Sequence, residues 1–262
     1  MECEVTEIIH EVRGSTAHII LNRPEQRNAL TFGMYEKIAE ICGNIELGGK
    51  VRSVIFSGAG EKAFAAGTDM SQFRDFSTPQ DSINYEETMD RILETIEKCP
   101  VPTIAAMNGA CTGGGAAIAA ACDLRICDNR LKFGFPIART LGNCLSTGNL
   151  NRMSALLGMG RTREVIFTAR LIEAEEALQI GLVSEVLPDA GACLERAGEI
   201  AETMAGHAPI TLRATKEGLR RLRTQGPDAD GTDLVVESYM SEDFKEGIEA
   251  FLGKRKPEWK GK

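Results

Sequence analysis

The 262-residue chain is short of positive charge: 30 Lys and Arg stand against 38 Asp and Glu, a formal net charge of -8. That balance excludes broad, non-specific nucleic-acid binding, which depends on clustered Lys and Arg. The one tight basic cluster, Lys254-Arg255-Lys256, lies near the C-terminal end, where it reads either as a solvated tail or as a contact for a phosphate-bearing ligand. Eight cysteines are scattered from Cys3 to Cys193 without a CxxC pair. This argues against a disulfide framework or a thiolate metal site and for reduced thiols in a cytosol. The three histidines, His10, His18 and His207, fall in no metal-ligand pattern, so no metal is expected. A long lipid-compatible run is also lacking. Pro102–Ala121 is nearly uncharged and spaces Gly109 and Gly113 like a membrane GxxxG pair, but Asn108, Thr112 and three consecutive glycines interrupt any helix there. The first residues, Met-Glu-Cys-Glu-Val-Thr-Glu, are acidic and hold no apolar run of the signal-peptide kind. A cytoplasmic protein without a membrane span is expected.

What is present is an ordinary globular composition, 43% hydrophobic and 26% charged, enough for one large domain or a core with an appendage. Glu4–His10 and Ala17–Leu21 around Gly14-Ser15 read as a β-hairpin. Thr31 is placed to cap a helix whose apolar positions Met34, Ile38, Ile41 and Ile45 recur at helical spacing, with Gly48-Gly49 as its stop. Val51–Phe56 is a short strand. Pro79–Lys98 reads as a helix with Ile83, Met89, Ile92, Leu93 and Ile96 facing inward. Thr103–Met107 is a buried strand, Ala116–Ala121 a small-residue helix and Asp123–Cys127 a third strand. Strand, helix and strand at this spacing predict an α/β fold with right-handed crossovers. Beyond Arg161 the pattern turns helical, over Glu164–Thr168, Ala174–Ile180, Ala190–Ala205, Pro209–Leu222, Thr232–Met240 and Phe244–Leu252, with Leu182–Leu187 as a strand. No internal repeat shows. The expected organisation is an α/β core over residues 1–200 and a helical region over 201–262.

Gly58-Ala59-Gly60-Glu61-Lys62-Ala63 is a loose dinucleotide-binding fingerprint. Its last glycine must open a long helix, and Gly67 would spoil one, so a nicotinamide or flavin site is rejected. Phe64–Asp69 and Gly109–Gly115 matter as a pair. Each follows a buried strand, where α/β folds place ligands, and each carries glycine where backbone can approach a ligand closely. Unpaired N–H groups at such places can converge on one oxygen. Alone, each glycine cluster is equally a tight turn.

Leu21-Asn22-Arg23-Pro24 with Arg27-Asn28-Ala29-Leu30, Lys62-Ala63-Phe64-Ala65-Ala66-Gly67-Thr68-Asp69, and Ile104-Ala105-Ala106-Met107-Asn108-Gly109 with Gly113-Gly114-Gly115 resemble the crotonase (enoyl-CoA hydratase/isomerase) superfamily. So do Cys122-Asp123-Leu124-Arg125-Ile126, Phe133-Gly134-Phe135-Pro136, Ala174-Glu175-Glu176-Ala177 with Gly181-Leu182-Val183, and Ala250-Phe251-Leu252 before the basic cluster, in family order along nearly the whole chain. The resemblance implies a ββα spiral core and a helical C-terminal region for oligomerisation, in a trimer or dimer of trimers. It implies an acyl-coenzyme A thioester as substrate, with no permanently bound cofactor. The N–H groups of Thr68 and Gly114 would form the oxyanion hole. Gln26, Arg27 and Ala29 with the backbone around Ala66, and Gly67 and Asp69 beside it, would line the coenzyme A channel, and Phe251 and Lys254 of a neighbouring subunit would close over the nucleotide. Asp69 and Asp123 are read as holding loops.

The family's two hydratase glutamates correspond here to Ala117 and Ile137. General acid–base groups contribute ~10²–10⁴-fold each, so hydration without both would be very slow. An oxyanion hole still stabilises a thioester enolate. Replacement groups are sought in Arg139–Ser146, where Cys144 is a candidate base or nucleophile and Arg139 the nearest cation, against a reading of Cys144 as a small buried apolar residue. Glu86 and Glu87 are further candidates, against a solvated helix face. Two functions follow: an enzyme of the hydratase/isomerase type or of a related reaction (isomerase, decarboxylase or thioesterase), or a non-catalytic binder of coenzyme A thioesters.

Overall fold

A computed structural model describes residues 6–262, so Glu4 and Val5 of the expected first strand lie outside the described residues. The chain opens with β1 (Ile8–Arg13) and β2 (Thr16–Leu21), an antiparallel hairpin turning at Gly14-Ser15. α1 (Phe32–Gly43) starts as expected, the Thr31 hydroxyl accepting from the Met34 N–H. It stops at Asn44, one turn before Gly48-Gly49, and Ile45 packs on the core from the following loop.

The next stretch repeats one unit three times. β3 (Ser53–Gly58), β4 (Ala63–Ala65) and α2 (Pro79–Glu97) are followed by β5 (Thr103–Met107), β6 (Ala110–Thr112) and α3 (Gly114–Ala121), then by β7 (Leu124–Asp128), β8 (Lys132–Gly134) and α4 (Ile137–Thr140). In each unit the first strand joins a six-stranded sheet and the second a four-stranded one. The α/β class and the ββα core are therefore as expected, and the repetition lies in geometry without any repeat in sequence. The second strands are three residues each, too short for a periodic signal. Ala63–Ala65 being a strand, no helix follows Gly58-Ala59-Gly60.

α5 (Thr147–Thr168), β9 (Ile172–Glu173), α6 (Ala174–Gln179), β10 (Val186–Leu187), α7 (Ala190–Ala205), α8 (Pro209–Gln225), α9 (Thr232–Met240) and α10 (Glu242–Leu252) complete the chain. Glu164–Thr168 is thus the end of a longer helix, kinked at Gly158. The strand expected over Leu182–Leu187 shrinks to β10, because the Leu182 and Val183 N–H groups both turn back to the Ala177 carbonyl. The large sheet runs β1-β2-β3-β5-β7-β10, parallel from β2 onward. Strand alternation divides its side chains between two apolar layers. Ile55, Ile104, Ala106 and Ile126 meet Cys193, Ala197 and Ala201 of α7. Phe56, Ala105 and Cys127 join the larger cluster that buries α1, α2 and α3.

One inward assignment is corrected. Met89, Ile92, Leu93 and Ile96 are buried, but Ile83 is 48% exposed. It precedes Ile92 by nine residues, about 180° round the helix. Tyr85, seven residues before Ile92, shares its face. No described helix is long and apolar enough to cross a membrane, and no three His, Cys, Asp or Glu among the described residues are grouped to hold a metal.

Candidate active site

Two backbone segments meet at the site. Thr68 forms an isolated parallel bridge with Leu30, in which the Leu30 N–H donates to Gly67 O and the Asp69 N–H to Leu30 O, both at 2.8 Å. A parallel bridge of this kind turns the Thr68 N–H away from Leu30, and among the described residues no backbone acceptor takes it. Across from it, α3 begins. The Gly113 N–H donates to Gly134 O at 3.0 Å and the Ala117 N–H to Gly113 O at 3.0 Å, so the Gly114 N–H lies ahead of the helical ladder, also without a backbone acceptor. The close approach demands glycine. A Cβ on Gly115 would stand 2.5 Å from Ala65 O, and one on Gly114 would collide with the Tyr35 hydroxyl.

These segments face a cavity of about 330 Å³ walled by Ala66, Gly67, Met70, Phe73, Met89, Leu93, Phe135 and Leu145. Ala117 and Ile137, which the resemblance sets at the two hydratase glutamate positions, both lie in its wall and are buried. Among the described residues Glu86 is its one carboxylate. Glu86 is half-buried on α2, and desolvation, reinforced by the nearby Asp90 charge and opposed by the Ser146 N–H, pushes its carboxyl above the usual glutamate range. The expectation of a solvated face thus holds for the exposed Glu87 and fails for Glu86. Asp90, one turn on, accepts from Ser146 Oγ and from the guanidinium of buried Arg152, each at 3.0 Å, while Arg152 also reaches Glu97 at 3.0 Å. The Ser146 hydroxyl in turn caps α5 by accepting from the Asn149 N–H. This network ties the end of the 141–146 loop to α2.

Two tyrosines that sequence reasoning missed complete the site. Tyr35, fully buried on α1, bonds its hydroxyl to Thr68 Oγ1 at 2.9 Å, and Thr68 Oγ1 meets the Tyr85 hydroxyl at 3.1 Å. Burial first, and then neighbouring groups that include Glu86, raise the pKa of both phenols and keep them protonated. Tyr85 packs against Phe73 (4.8 Å between ring centroids, edge-on), Phe32 (5.6 Å) and Phe76 (6.1 Å), which fixes its ring. The helical offset of Tyr85 from Ile92 was the available signal.

Of the residues singled out from sequence, Thr68, Gly114, Ala66 and Gly67 come together at the cavity, and Cys144 lines it as well. Cys144 is exposed, against the reading of a buried apolar residue. Arg139 is exposed on α4 and outside the cavity wall. Gln26 and Arg27 occupy an exposed turn in which Arg27 (φ 51°) and Asn28 (φ 56°) are left-handed. Buried Asn28 holds that turn, donating from Nδ2 to Ala59 O (3.0 Å) and Ala63 O (2.7 Å) and accepting from the Arg23 N–H (2.9 Å). The Ala66 N–H donates to Arg27 O at 3.0 Å, and Arg23 donates to Ala29 O, so the turn abuts the cavity's edge. Asp69 is engaged with Ser71 and the Arg23 guanidinium (2.9 Å), which hold its carboxyl below the usual range. Asp123 accepts from Thr103 and from Lys216. Phe251, 83% exposed, lines a separate cleft beside Trp259, and Lys254 follows in the turn after α10.

Comparison with known proteins identifies the family. The family model described as enoyl-CoA hydratase/isomerase matches residues 11–262. The chain is 36% identical over 262 residues to a short-chain-enoyl-CoA hydratase of Clostridium acetobutylicum, covering 97% of this chain and 98% of that protein. It is 31% identical over 258 residues to a peroxisomal Delta(3,5)-Delta(2,4)-dienoyl-CoA isomerase of Arabidopsis thaliana, covering 93% and 92%. A crystal structure of an enoyl-CoA hydratase/carnithine racemase from Magnetospirillum magneticum superposes with a TM-score of 0.88 at 31% identity, over 98% of this chain and 97% of the other. An enoyl-CoA hydratase from Bacillus anthracis gives 0.86 at 34%, over 98% and 100%. The chain belongs to the enoyl-CoA hydratase/isomerase family and is an enzyme of the crotonase superfamily.

Proposed function

We propose that the cavity binds an acyl-coenzyme A thioester with its carbonyl oxygen facing the Thr68 and Gly114 N–H groups, and that Glu86 moves the α-proton. The observation that carries this reading is the pairing of two free backbone donors with a single carboxylate in one apolar cavity. Two N–H groups converging on a thioester oxygen stabilise the enolate, each donor contributing about 3 kcal/mol. A carboxylate with a raised pKa is a suitable base for the α-carbon and, once protonated, can return a proton there or elsewhere along the conjugated system, after exchange with solvent. One base suffices for that shuttle, which is isomerase chemistry. Hydration needs a group for water as well as one for carbon, and Ala117 and Ile137 supply neither. Gln26, Arg27, Ala29 and Ala66 line the pantetheine and adenine channel in this reading, beside Gly67 and Asp69. Phe251 and Lys254 of a neighbouring subunit close it in a trimer or dimer of trimers. A cytoplasmic location fits the free thiols of all seven described cysteines.

The test combines calorimetry with crotonyl-CoA and acetyl-CoA and deuterium uptake at the α-carbon of acetyl-CoA, read by mass spectrometry. The expected result is binding with exchange, and an exchange rate lowered by ~10²-fold or more in Glu86→Gln with binding kept. Exchange undiminished in that variant removes Glu86 from the mechanism. Absence of any binding refutes the reading. Ala117 and Ile137 favour a second reading, a non-catalytic binder, which binding without turnover of any acyl-CoA would support. Turnover that survives Glu86→Gln and vanishes in Cys144→Ala or Arg139→Ala would move the chemistry to the loop.

A further inference from the structure

The hydroxyls of Tyr35, Thr68 and Tyr85 form a row of three with contacts of 2.9 and 3.1 Å and no other side-chain partner among the described residues. Three hydroxyls hold three protons, and two contacts use two of them. Tyr35 fixes the sense at its end. Its hydroxyl is fully buried and Thr68 Oγ1 is its one hydrogen-bonding partner, so its proton is given to Thr68, because a buried donor left unmade is costly. One proton then joins Thr68 to Tyr85, and one remains. All three residues line the cavity, but Tyr35 is 1% exposed and Tyr85 only part-buried, so Tyr85 is the outer member of the row. With a negatively charged oxygen in the cavity, the order Tyr35 to Thr68 to Tyr85 to ligand uses every proton. The reverse sense at Tyr85 would turn phenolic lone pairs toward the charge.

We propose that the Tyr85 hydroxyl is a further catalytic residue that donates a third hydrogen bond to the thioester oxygen, with Thr68 and Tyr35 behind it as positioning residues. The inference rests on the binding mode given above. The position is supported by Gly114: its Cα side is occupied by the Tyr35 hydroxyl, with Thr68 Oγ1 3.1 Å from where a Cβ would stand, so the row begins at one N–H donor's residue and passes through the other's. The Phe73, Phe76 and Phe32 rings hold Tyr85 in place. Each bond in such a row polarises the next, by roughly 10–30% per bond, so Tyr35 strengthens a bond it does not make. The raised pKa of both phenols keeps them donors at neutral pH. No proton leaves the row. The oxygen's charge is shared over three donors in place of two.

The experiment pairs steady-state α-proton exchange with the ultraviolet absorbance of bound cinnamoyl-CoA, whose band moves to the red as its carbonyl is polarised. Tyr85→Phe keeps the ring and removes the donor. It should lower kcat by about 10–100-fold, on the scale of oxyanion-hole donors, with KM changed far less and the red shift reduced. Tyr35→Phe leaves the Tyr85 side of the wall untouched, and should reduce both readouts in the same direction by a smaller factor, about 3–10-fold in kcat, which a merely structural role would not do to the spectrum. This second variant decides the matter where Tyr85→Phe does not fold. A red shift in the parent protein that both variants retain, with unchanged kcat, overturns the third donor alone. A parent protein that binds cinnamoyl-CoA with no red shift overturns the two-donor hole as well, and this proposal with it.

Discussion

Replacing Gly114 by alanine tests the geometry on which the oxyanion hole rests. The added Cβ would overlap the Tyr35 hydroxyl and stand 3.1 Å from both Tyr35 Cζ and Thr68 Oγ1. Tyr35 is fully buried on α1, so it cannot swing aside, and α1 or the start of α3 must move. Overpacking of this kind costs about 1–3 kcal/mol. A shift of α3 also misaligns the Gly114 N–H, and loss of one such donor lowers turnover by about 10²–10³-fold. Tyr35→Phe removes the oxygen that the new Cβ meets. Alone it loses a hydrogen bond worth about 1 kcal/mol, while Thr68 keeps Tyr85. The double variant should therefore be more stable than the sum of the single changes predicts, by at least about 1 kcal/mol. Urea unfolding of the four proteins at one fixed concentration measures the cycle, since any subunit association would make stability depend on concentration. Additive effects, or a Gly114→Ala protein as stable as its parent, would refute the collision and with it the placement of the Gly114 N–H.

Further expectations follow from single features of the site. Because the Glu86 carboxyl sits above its ordinary value of 4.5 in the fold, exchange should rise with pH through an apparent pKa higher than 4.5, and a pH–rate profile of Glu86→Gln should lack that limb. The sign for stability is opposite. The fold favours protonated Glu86, so its contribution is complete below the unfolded value and is lost as pH climbs through the raised one; denaturation midpoints of Glu86→Gln should lack that decline. Ala117→Glu with Ile137→Glu should raise crotonyl-CoA hydration by about 10²-fold or more and lower the thermal midpoint, since both positions are buried; an unchanged rate in the folded double variant would show that the Leu141–Ser146 loop differs as well. Among the seven described cysteines Cys144 alone is exposed, so a thiol reagent should modify it before the other six by peptide mapping, and a bound acyl-CoA should slow that reaction. Arg152→Ala should cost about 1.5–3 kcal/mol, since Asp90 loses its cation while Glu97 keeps Arg223, read by urea unfolding.

Sequence legibility followed length and period. α7 and α9 were predicted to the residue, since Ala190–Ala205 and Thr232–Met240 carry an uninterrupted helical pattern. β4, β6 and β8 were not, because three residues cannot show a period of two, and without them the ββα repetition was invisible to periodicity and reached only through resemblance. At the site, glycines marked where backbone comes close, so Thr68 and Gly114 could be named. Tyr35 and Tyr85 could not be, because what gives them a role is a shared partner, Thr68, lying 33 residues from one and 17 from the other. Glu86 looked like one of many acidic residues on an amphipathic helix. Its distinction is burial beside Asp90, which depends on how the Leu141–Ser146 loop folds back on α2.

That loop also explains how one carboxylate can stand where the family ordinarily has two. The two family positions lie at the start of α3 and at the start of α4, and here both present apolar groups to the cavity. A carboxylate added at either would be desolvated. The existing carboxylate approaches from α2, where Ser146 and Arg152 compensate the neighbouring Asp90 and leave Glu86 as the group whose ionisation is disfavoured. With Glu86 as the proposed base, moving it from the α3 and α4 walls to the α2 wall would change which face of a bound enoyl group meets it. It would also remove the opposite partner that holds a water. In that reading the donors from Thr68 and Gly114 are unaffected by the exchange because they belong to backbone, so enolate stabilisation and the choice of proton path would be carried by separate parts of the fold, and only the second would be altered.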